Sequence, residues 1–113
     1  MNEIGLDELR AGLGEVVLLD VRTPREFSGA GGYPCDPRQG HIPTARNVPA
    51  EEIVAASPDE LSALVGEPEG TTLVCYCHSG GRSARAAAAL RAAGYDARNY
   101  EGSWHEWSRE VPA

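Results

Sequence analysis

LVCYCHSGGRS, residues 73–83, passes from an apolar run into a loop with two adjacent glycines and continues into the alanine-rich run 84–93. This order predicts a buried strand, a tight loop and a helix. Such a junction directs backbone N–H groups and the positive end of a helix dipole at one point. Cys77 lies at that point, so we expect its thiol to have a lowered pKa and to be a good nucleophile.

Length and charge restrict the classes of protein to which the chain can belong. A chain of 113 residues with 42% hydrophobic and 24% charged residues is expected to form one globular domain, residues 1–113. The net charge of −7 argues against nucleic acid or an anionic membrane surface as a partner. It still permits a small anionic substrate, because a small cationic pocket can lie within an acidic surface.

The cysteines and the first residues suggest a cellular location. Three cysteines are an odd number and fit a reducing compartment better than a disulfide framework. The opening residues, MNEIG, lack the basic and apolar regions of a secretory signal. No apolar run approaches the length of a membrane span. We therefore expect a cytoplasmic protein without a membrane partner.

The rest of the chain alternates between helical and extended patterns. Two capping boxes, TPRE at 23–26 and SPDE at 57–60, mark helix starts. Helices are predicted over 6–13, 24–27, 57–64, 84–93 and 104–109, and strands over 15–20, 45–48, 71–76 and 96–100. This alternation predicts an α/β fold with a mostly parallel sheet covered on both faces. In such sheets ligands bind beyond the carboxyl ends of the strands, where Cys77 falls.

Four patches, in order along the chain, resemble the motifs of the rhodanese family. LDVRTPREF at 19–27 resembles its DVR..EF motif, and GHIPTARNVP at 40–49 resembles GHIPGA.N.P, with Thr44 where glycine is usual. CHSGGRS at 77–83 matches the CxxGxRS active loop, and EGSWHEW at 101–107 is similar to the closing segment. The pattern is closest to the catalytic C-terminal half of two-domain thiosulfate and mercaptopyruvate sulfurtransferases.

The resemblance implies a rhodanese-like fold with about five strands and a sulfurtransferase that carries a persulfide on Cys77. It implies a small anionic sulfur donor such as thiosulfate, a thiol or cyanide acceptor, and a further hypothesis of a protein acceptor. Neither a cofactor nor a metal is expected. The non-catalytic half of the two-domain relatives is absent from this sequence, so its share of the substrate cleft would have to come from elsewhere.

Residues around Cys77 are the remaining candidates for the site. The N–H groups of the active-site loop are expected to bind the developing anion, and the loop comprises His78, Ser79, Gly80, Gly81, Arg82 and Ser83. Arg82 either points into the pocket or ties the loop to a carboxylate such as Asp20. Arg38 is placed like an arginine that binds the substrate anion in the two-domain relatives, and its alternative is a solvated loop arginine.

Two other functions are also compatible with the sequence. One is a persulfide carrier that delivers sulfur to a partner protein. The other is an anion enzyme of the phosphatase or arsenate reductase type, which uses five residues between cysteine and arginine, whereas four separate Cys77 from Arg82. Of the other cysteines, Cys75 is expected in the core and Cys35 in an exposed loop, from which it is the one thiol that could reach Cys77.

Overall fold

The computed structural model describes residues 2–113, and within them it contains five strands and six helices. The strands are β1 (Glu3–Ile4), β2 (Val17–Asp20), β3 (Arg46–Asn47), β4 (Thr72–Tyr76) and β5 (Asp96–Tyr100). The helices are α1 (Leu6–Gly12), α2 (Pro24–Ser28), α3 (Ala50–Ala55), α4 (Pro58–Val65), α5 (Gly81–Ala92) and α6 (Ser103–Glu110). No helix in this part of the chain is long and apolar enough to cross a membrane.

The strands form one sheet in the order β1-β5-β4-β2-β3, and every neighbouring pair is parallel. The predicted α/β class with a parallel sheet is therefore confirmed. The strand β4 lies at the centre of this sheet and is apolar and buried from Leu73 to Tyr76. Its carboxyl end delivers Cys77 to the sheet edge where all five strands end.

Side chains that alternate along the strands point to opposite faces of the sheet and form a separate hydrophobic core on each face. Leu73 and Cys75 point to one face, which α3, α4 and α5 cover with residues such as Ile53, Leu61 and Leu90. The alternate positions of β4 point to the other face, where α1 and α6 pack: Val74 and Tyr76 join Leu9, Trp104 and Trp107. Ala86 and Ala87 of α5 are buried against the sheet, and their small side chains let this helix lie close to β4.

Both capping boxes form as the sequence predicted. The Thr23 and Ser57 hydroxyls accept from the N–H groups of Glu26 and Glu60, and these glutamates accept from the capping residues' N–H groups. The structure adds two elements that the sequence analysis missed, β1 and α3. Each is short, and β1 has only two residues that pair with Asn99 and Tyr100 at the edge of the sheet.

Candidate active site

Cys77 follows β4 directly and is held by donors from the start of α5. Its Sγ accepts the Gly80 N–H at 3.1 Å and the Ser83 hydroxyl at 3.4 Å. The residue is only 2% exposed, so these donors rather than bulk water surround most of the sulfur. The sulfur therefore lies where the N-terminus of a helix of 12 residues offers its unpaired N–H groups.

These contacts set the acidity of the thiol. Burial by itself raises the pKa of Cys77, but hydrogen bonds from the Ser83 hydroxyl and from the N–H groups of Ser83, Gly80 and Ser79 outweigh it and leave the pKa below its ordinary value. Cys75 has no such donors, and burial raises its pKa to about 12. Of the two cysteines, Cys77 is therefore the one whose thiol ionises more readily, and Cys75 is an inert core residue.

Gly80 and Gly81 differ in backbone conformation and in the space available for a side chain. Gly80 has φ +97°, and a Cβ there would lie 2.8 Å from the carbonyl oxygen of Glu101. Gly81 has ordinary helical geometry, and a Cβ there would have no atom within 4 Å. Of the two adjacent glycines, only Gly80 is therefore required by the backbone of the turn.

The start of α6 fixes the loop from the other side. The N–H groups of Trp104 and His105 donate to the carbonyls of Cys77 and His78, at 2.9 and 3.0 Å. The Ser103 hydroxyl accepts the Cys77 N–H at 3.1 Å and donates to the carbonyl of Tyr100. Ser103 is fully buried and has φ +56°, a conformation that most residues avoid. The carbonyls of Cys77 and His78 accept hydrogen bonds from α6. The N–H groups of the loop therefore remain directed toward the Cys77 sulfur.

Arg82 forms an ion pair that links α5 to α2. Its two terminal nitrogens donate to the two carboxylate oxygens of Glu26, at 2.8 and 3.0 Å. The partner is Glu26 rather than Asp20, since Asp20 is fully buried against the guanidinium of Arg22. This pair joins α5 to α2 and makes the structural reading of Arg82 the one the geometry favours.

Asp20 and Arg22 form a separate ion pair that is fully buried. Arg22 is 1% exposed, donates to Asp20 and to the carbonyl of Gly40, and lies over the rings of Tyr76 and Trp104. The Tyr76 hydroxyl donates to Asp20 at 2.7 Å. Arg22 is therefore a structural residue within the core that contains Tyr76 and Trp104.

Arg38 lies against the ring of Trp104. Its guanidinium donates to the Ser108 carbonyl at 2.8 Å and stacks on the Trp104 ring, and it makes no hydrogen bond to the Cys77 loop in residues 2–113. Its carbonyl accepts from the Trp104 indole at 3.1 Å. Arg38 therefore anchors α6 in this structure, and its predicted role in binding a substrate anion stays a prediction that would require the side chain to leave Ser108.

A polar cluster beside the loop was not found from the sequence. His78 faces the buried carboxylate of Asp36, and His105 and Arg109 approach the same carboxylate from α6. The exposed ring of Tyr33 stacks on His78 with centroids 3.7 Å apart. These residues come from three distant segments, so no local spacing could have brought them together in a sequence pattern.

An open groove of about 680 Å³ starts at Ser79 and runs along the carboxyl ends of β1 and β5. Its charged lining residues are Glu3, Glu101 and Glu106, with His105 at the loop end, and no lysine or arginine lines it. The groove therefore favours neutral or cationic groups over anions.

A protein-family model and two curated proteins match most of the chain. The family model described as rhodanese-like domain matches residues 5–110. SseB of Mycobacterium tuberculosis is named provisionally as a thiosulfate sulfurtransferase. It is 40% identical to this chain over 109 residues, and the match covers 89% of this chain and 38% of SseB. The sulfur carrier protein TtuD of Thermus thermophilus is 38% identical over 115 residues, which cover 87% of this chain and 40% of TtuD.

Among solved structures, the human single-domain sulfurtransferase TSTD1 is 31% identical, with a TM-score of 0.76, and the match covers 99% of both chains. The present chain thus spans about two fifths of the length of the two curated relatives, at 38% and 40%, but nearly the whole length of this solved one.

Proposed function

The chain belongs to the family of rhodanese-like domains, and on that premise we propose that residues 1–113 form one such domain and that it is a sulfurtransferase. It moves a sulfane sulfur from thiosulfate or a similar donor to a thiophilic acceptor, and Cys77 carries the sulfur as a persulfide between the two steps. The observation that carries the proposal is the position of the Cys77 sulfur at the N-terminus of α5, with its pKa lowered by donors from the loop.

In the first step the Cys77 thiolate attacks the outer sulfur of thiosulfate. A sulfur–sulfur bond forms to Cys77 while the sulfur–sulfur bond of the donor breaks, and sulfite leaves with the bonding electron pair. The charge of the thiolate leaves on the sulfite, and the transferred sulfur keeps the negative charge that it bore in thiosulfate as the terminal atom of the persulfide. The Gly80 N–H is already directed at Sγ, so this fixed dipole and those of its neighbours stabilise negative charge at and beside Cys77 without reorganisation.

In the second step an acceptor nucleophile attacks the terminal sulfur of the persulfide. The bond between the two sulfurs of the persulfide breaks and its electron pair returns to Cys77, which regenerates the thiolate. Cyanide would leave as thiocyanate, and a thiolate would leave as a new persulfide. The cycle is a covalent double displacement, for which ping-pong kinetics are the expected signature.

The geometry disfavours the phosphatase alternative. A cysteine phosphatase needs an arginine free to clamp the phosphoryl oxygens, whereas both terminal nitrogens of Arg82 are bonded to Glu26. The loop also has four residues between Cys77 and Arg82 rather than five. A small cradle around one sulfur atom fits transfer of sulfur better than transfer of a tetrahedral group.

The test is thiocyanate formation from thiosulfate and cyanide by the wild-type chain, by Cys77→Ser and by Cys75→Ser. We expect Cys77→Ser to lose activity while keeping its circular dichroism spectrum, and Cys75→Ser to retain activity as the matched cysteine control. Residual turnover above about a tenth of wild type in Cys77→Ser would contradict a covalent intermediate on this residue, since loss of a nucleophile costs orders of magnitude in rate.

A second candidate function is a persulfide carrier for a partner protein. The acidic groove beside Ser79 offers a surface on which a basic segment bearing the acceptor thiol could lie, and the relative TtuD is named a sulfur carrier. A carrier would form the Cys77 persulfide readily but release it slowly to cyanide or small thiols. Single-turnover release to cyanide, measured on the isolated persulfide form, separates the two: rapid release supports the enzyme and slow release supports the carrier.

A further inference from the structure

The four residues Cys35, Asp36, His78 and His105, which we call the mouth cluster, converge beside the Cys77 loop. Each offers one potential ligand atom, and the four atoms lie within 4.8 Å of one another. Two members come from the irregular segment between α2 and β3, one from the loop after Cys77, and one from α6. The fold thus assembles a set of donors from three parts of the chain at one point.

The chemistry of the donors matches one class of cation. A thiol, a carboxylate and two imidazoles are the ligands from which tetrahedral zinc sites are built. Bonds of about 2.0–2.3 Å separate neighbouring ligand atoms of such a site by roughly 3.3–3.8 Å. His78 Nε2 and His105 Nδ1 already lie 3.1 and 3.6 Å from the Asp36 oxygens, so the cluster needs to contract by only about 1 Å at its widest points.

An independent observation comes from the Asp36 carboxylate. Its side chain is fully buried, and its Oδ2 has no hydrogen-bond partner among the described residues. His78 Nε2 lies 3.1 Å from this oxygen, but its hydrogen bond goes to Oδ1 of the same carboxylate, at 3.3 Å. A buried carboxylate oxygen left unpaired costs free energy, and a bound cation would remove that cost.

Arg109 is the cation that now faces the mouth cluster. Its Nη1 donates to Asp36 Oδ1 at 2.9 Å and lies 3.1 Å from His105 Nδ1, while Nη2 donates to the Cys35 carbonyl. The guanidinium is about one-third exposed, at 32%, so it can turn out to solvent. A metal ion and Arg109 would therefore compete for the same carboxylate and imidazole.

We propose that Cys35, Asp36, His78 and His105 bind a zinc ion beside the Cys77 loop. Binding releases the Cys35 thiol proton to solvent, takes both imidazoles in their neutral form, and displaces Arg109 from His105. The ion joins the segment that carries Cys35 to the loop that carries His78 and to α6.

The test measures zinc affinity by competition with a chromophoric chelator, with zinc chloride, the full chain and no sulfur donor. Because Cys77 is a second thiol nearby, Cys77→Ser serves as the reference protein. We expect one zinc per chain, weakening by at least about tenfold in Asp36→Asn and in His105→Gln, and tightening in Arg109→Met, which lacks the competing guanidinium. His41→Gln is the matched control, since this third histidine stacks on Phe27 away from the cluster.

Absence of stoichiometric binding would overturn the proposal, as would binding that Asp36→Asn leaves unchanged or that Arg109→Met weakens. X-ray absorption on the zinc-loaded Cys77→Ser chain needs no mouth-cluster variant to fold. One sulfur and three nitrogen or oxygen neighbours support the site, and any other sulfur count contradicts it. These readouts do not depend on turnover, so their failure is distinct from a failure of the proposed sulfur transfer.

Discussion

The carboxylate of Glu26 accepts one hydrogen bond from each terminal nitrogen of Arg82, at 2.8 and 3.0 Å, and so joins α2 to the helix whose N-terminus holds Cys77. We expect Glu26→Gln to lower the free energy of unfolding by about 1–2 kcal/mol, a value reduced for the partial exposure of Arg82. The measurement is urea denaturation at neutral pH.

The matched control is Glu67→Gln, which breaks the exposed pair with Arg46. A surface pair contributes little, so this variant should lose less than about 0.5 kcal/mol. Equal losses in the two variants would show that the Glu26–Arg82 pair contributes no more to the free energy of unfolding than an exposed ion pair.

The same carboxylate makes stability depend on pH. Burial alone raises the pKa of Glu26, but hydrogen bonds from Arg82 and Thr23 lower it to about 2, against an ordinary value of 4.5. The depressed folded-state pKa means that this contribution is present above about pH 4.5 and is lost as the pH falls toward 2. The difference in stability between wild type and Glu26→Gln should therefore shrink across that window, and a constant difference would contradict the assigned pairing.

Ser83→Ala should reduce the reactivity of Cys77 at neutral pH. Burial favours the neutral thiol, and the Ser83 hydroxyl is the leading contact that opposes it. Removing this donor therefore moves the midpoint of thiolate formation to higher pH. The measurement is the rate of alkylation by iodoacetamide against pH in a Cys35→Ser background, with the exposed Ser62→Ala as control. A midpoint shared by both variants would remove Ser83 from the account.

Gly80 and Gly81 offer a matched pair of substitutions. Gly80→Ala combines a left-handed backbone with a contact of 2.8 Å to the Glu101 carbonyl, and should cost about 1–3 kcal/mol in stability. Gly81→Ala meets no atom and should change stability by less than about 0.5 kcal/mol. Thermal denaturation of both variants checks this, and a larger loss for Gly81→Ala would mean that the loop geometry is wrong.

Most of the fold could be predicted from the sequence because its signals are local. The apolar run of β4, the two capping boxes and the glycine at the end of α5 each act within a few residues, and all appear in the structure. Gly94 takes φ +101°, and the Tyr95 N–H donates to the Leu90 carbonyl, an arrangement typical of a helix that ends at a glycine. The strand β1 escaped because two residues carry no periodicity, and α3 because six residues after Pro49 lack a capping side chain.

The site was predictable only in its central loop. The position of Cys77 between strand and helix is a local pattern, and so is the tight turn at Gly80. The partner of Arg82, the anchoring of Arg38 on α6 and the approach of Asp36 to His78 depend on contacts between segments 42 to 70 residues apart. Such contacts follow from topology and packing, which no short spacing of residues in the sequence encodes.

The most direct test of the account is intact-mass analysis of the chain after exposure to thiosulfate, followed by peptide mapping. The account predicts that the wild-type chain gains the mass of one sulfur atom, that the gain maps to Cys77, and that cyanide removes it with release of thiocyanate. Cys75→Ser should gain the same mass and Cys77→Ser should gain none. A sulfur adduct on Cys35 or Cys75, or an adduct that persists in Cys77→Ser, would contradict the proposal that Cys77 carries the transferred sulfur.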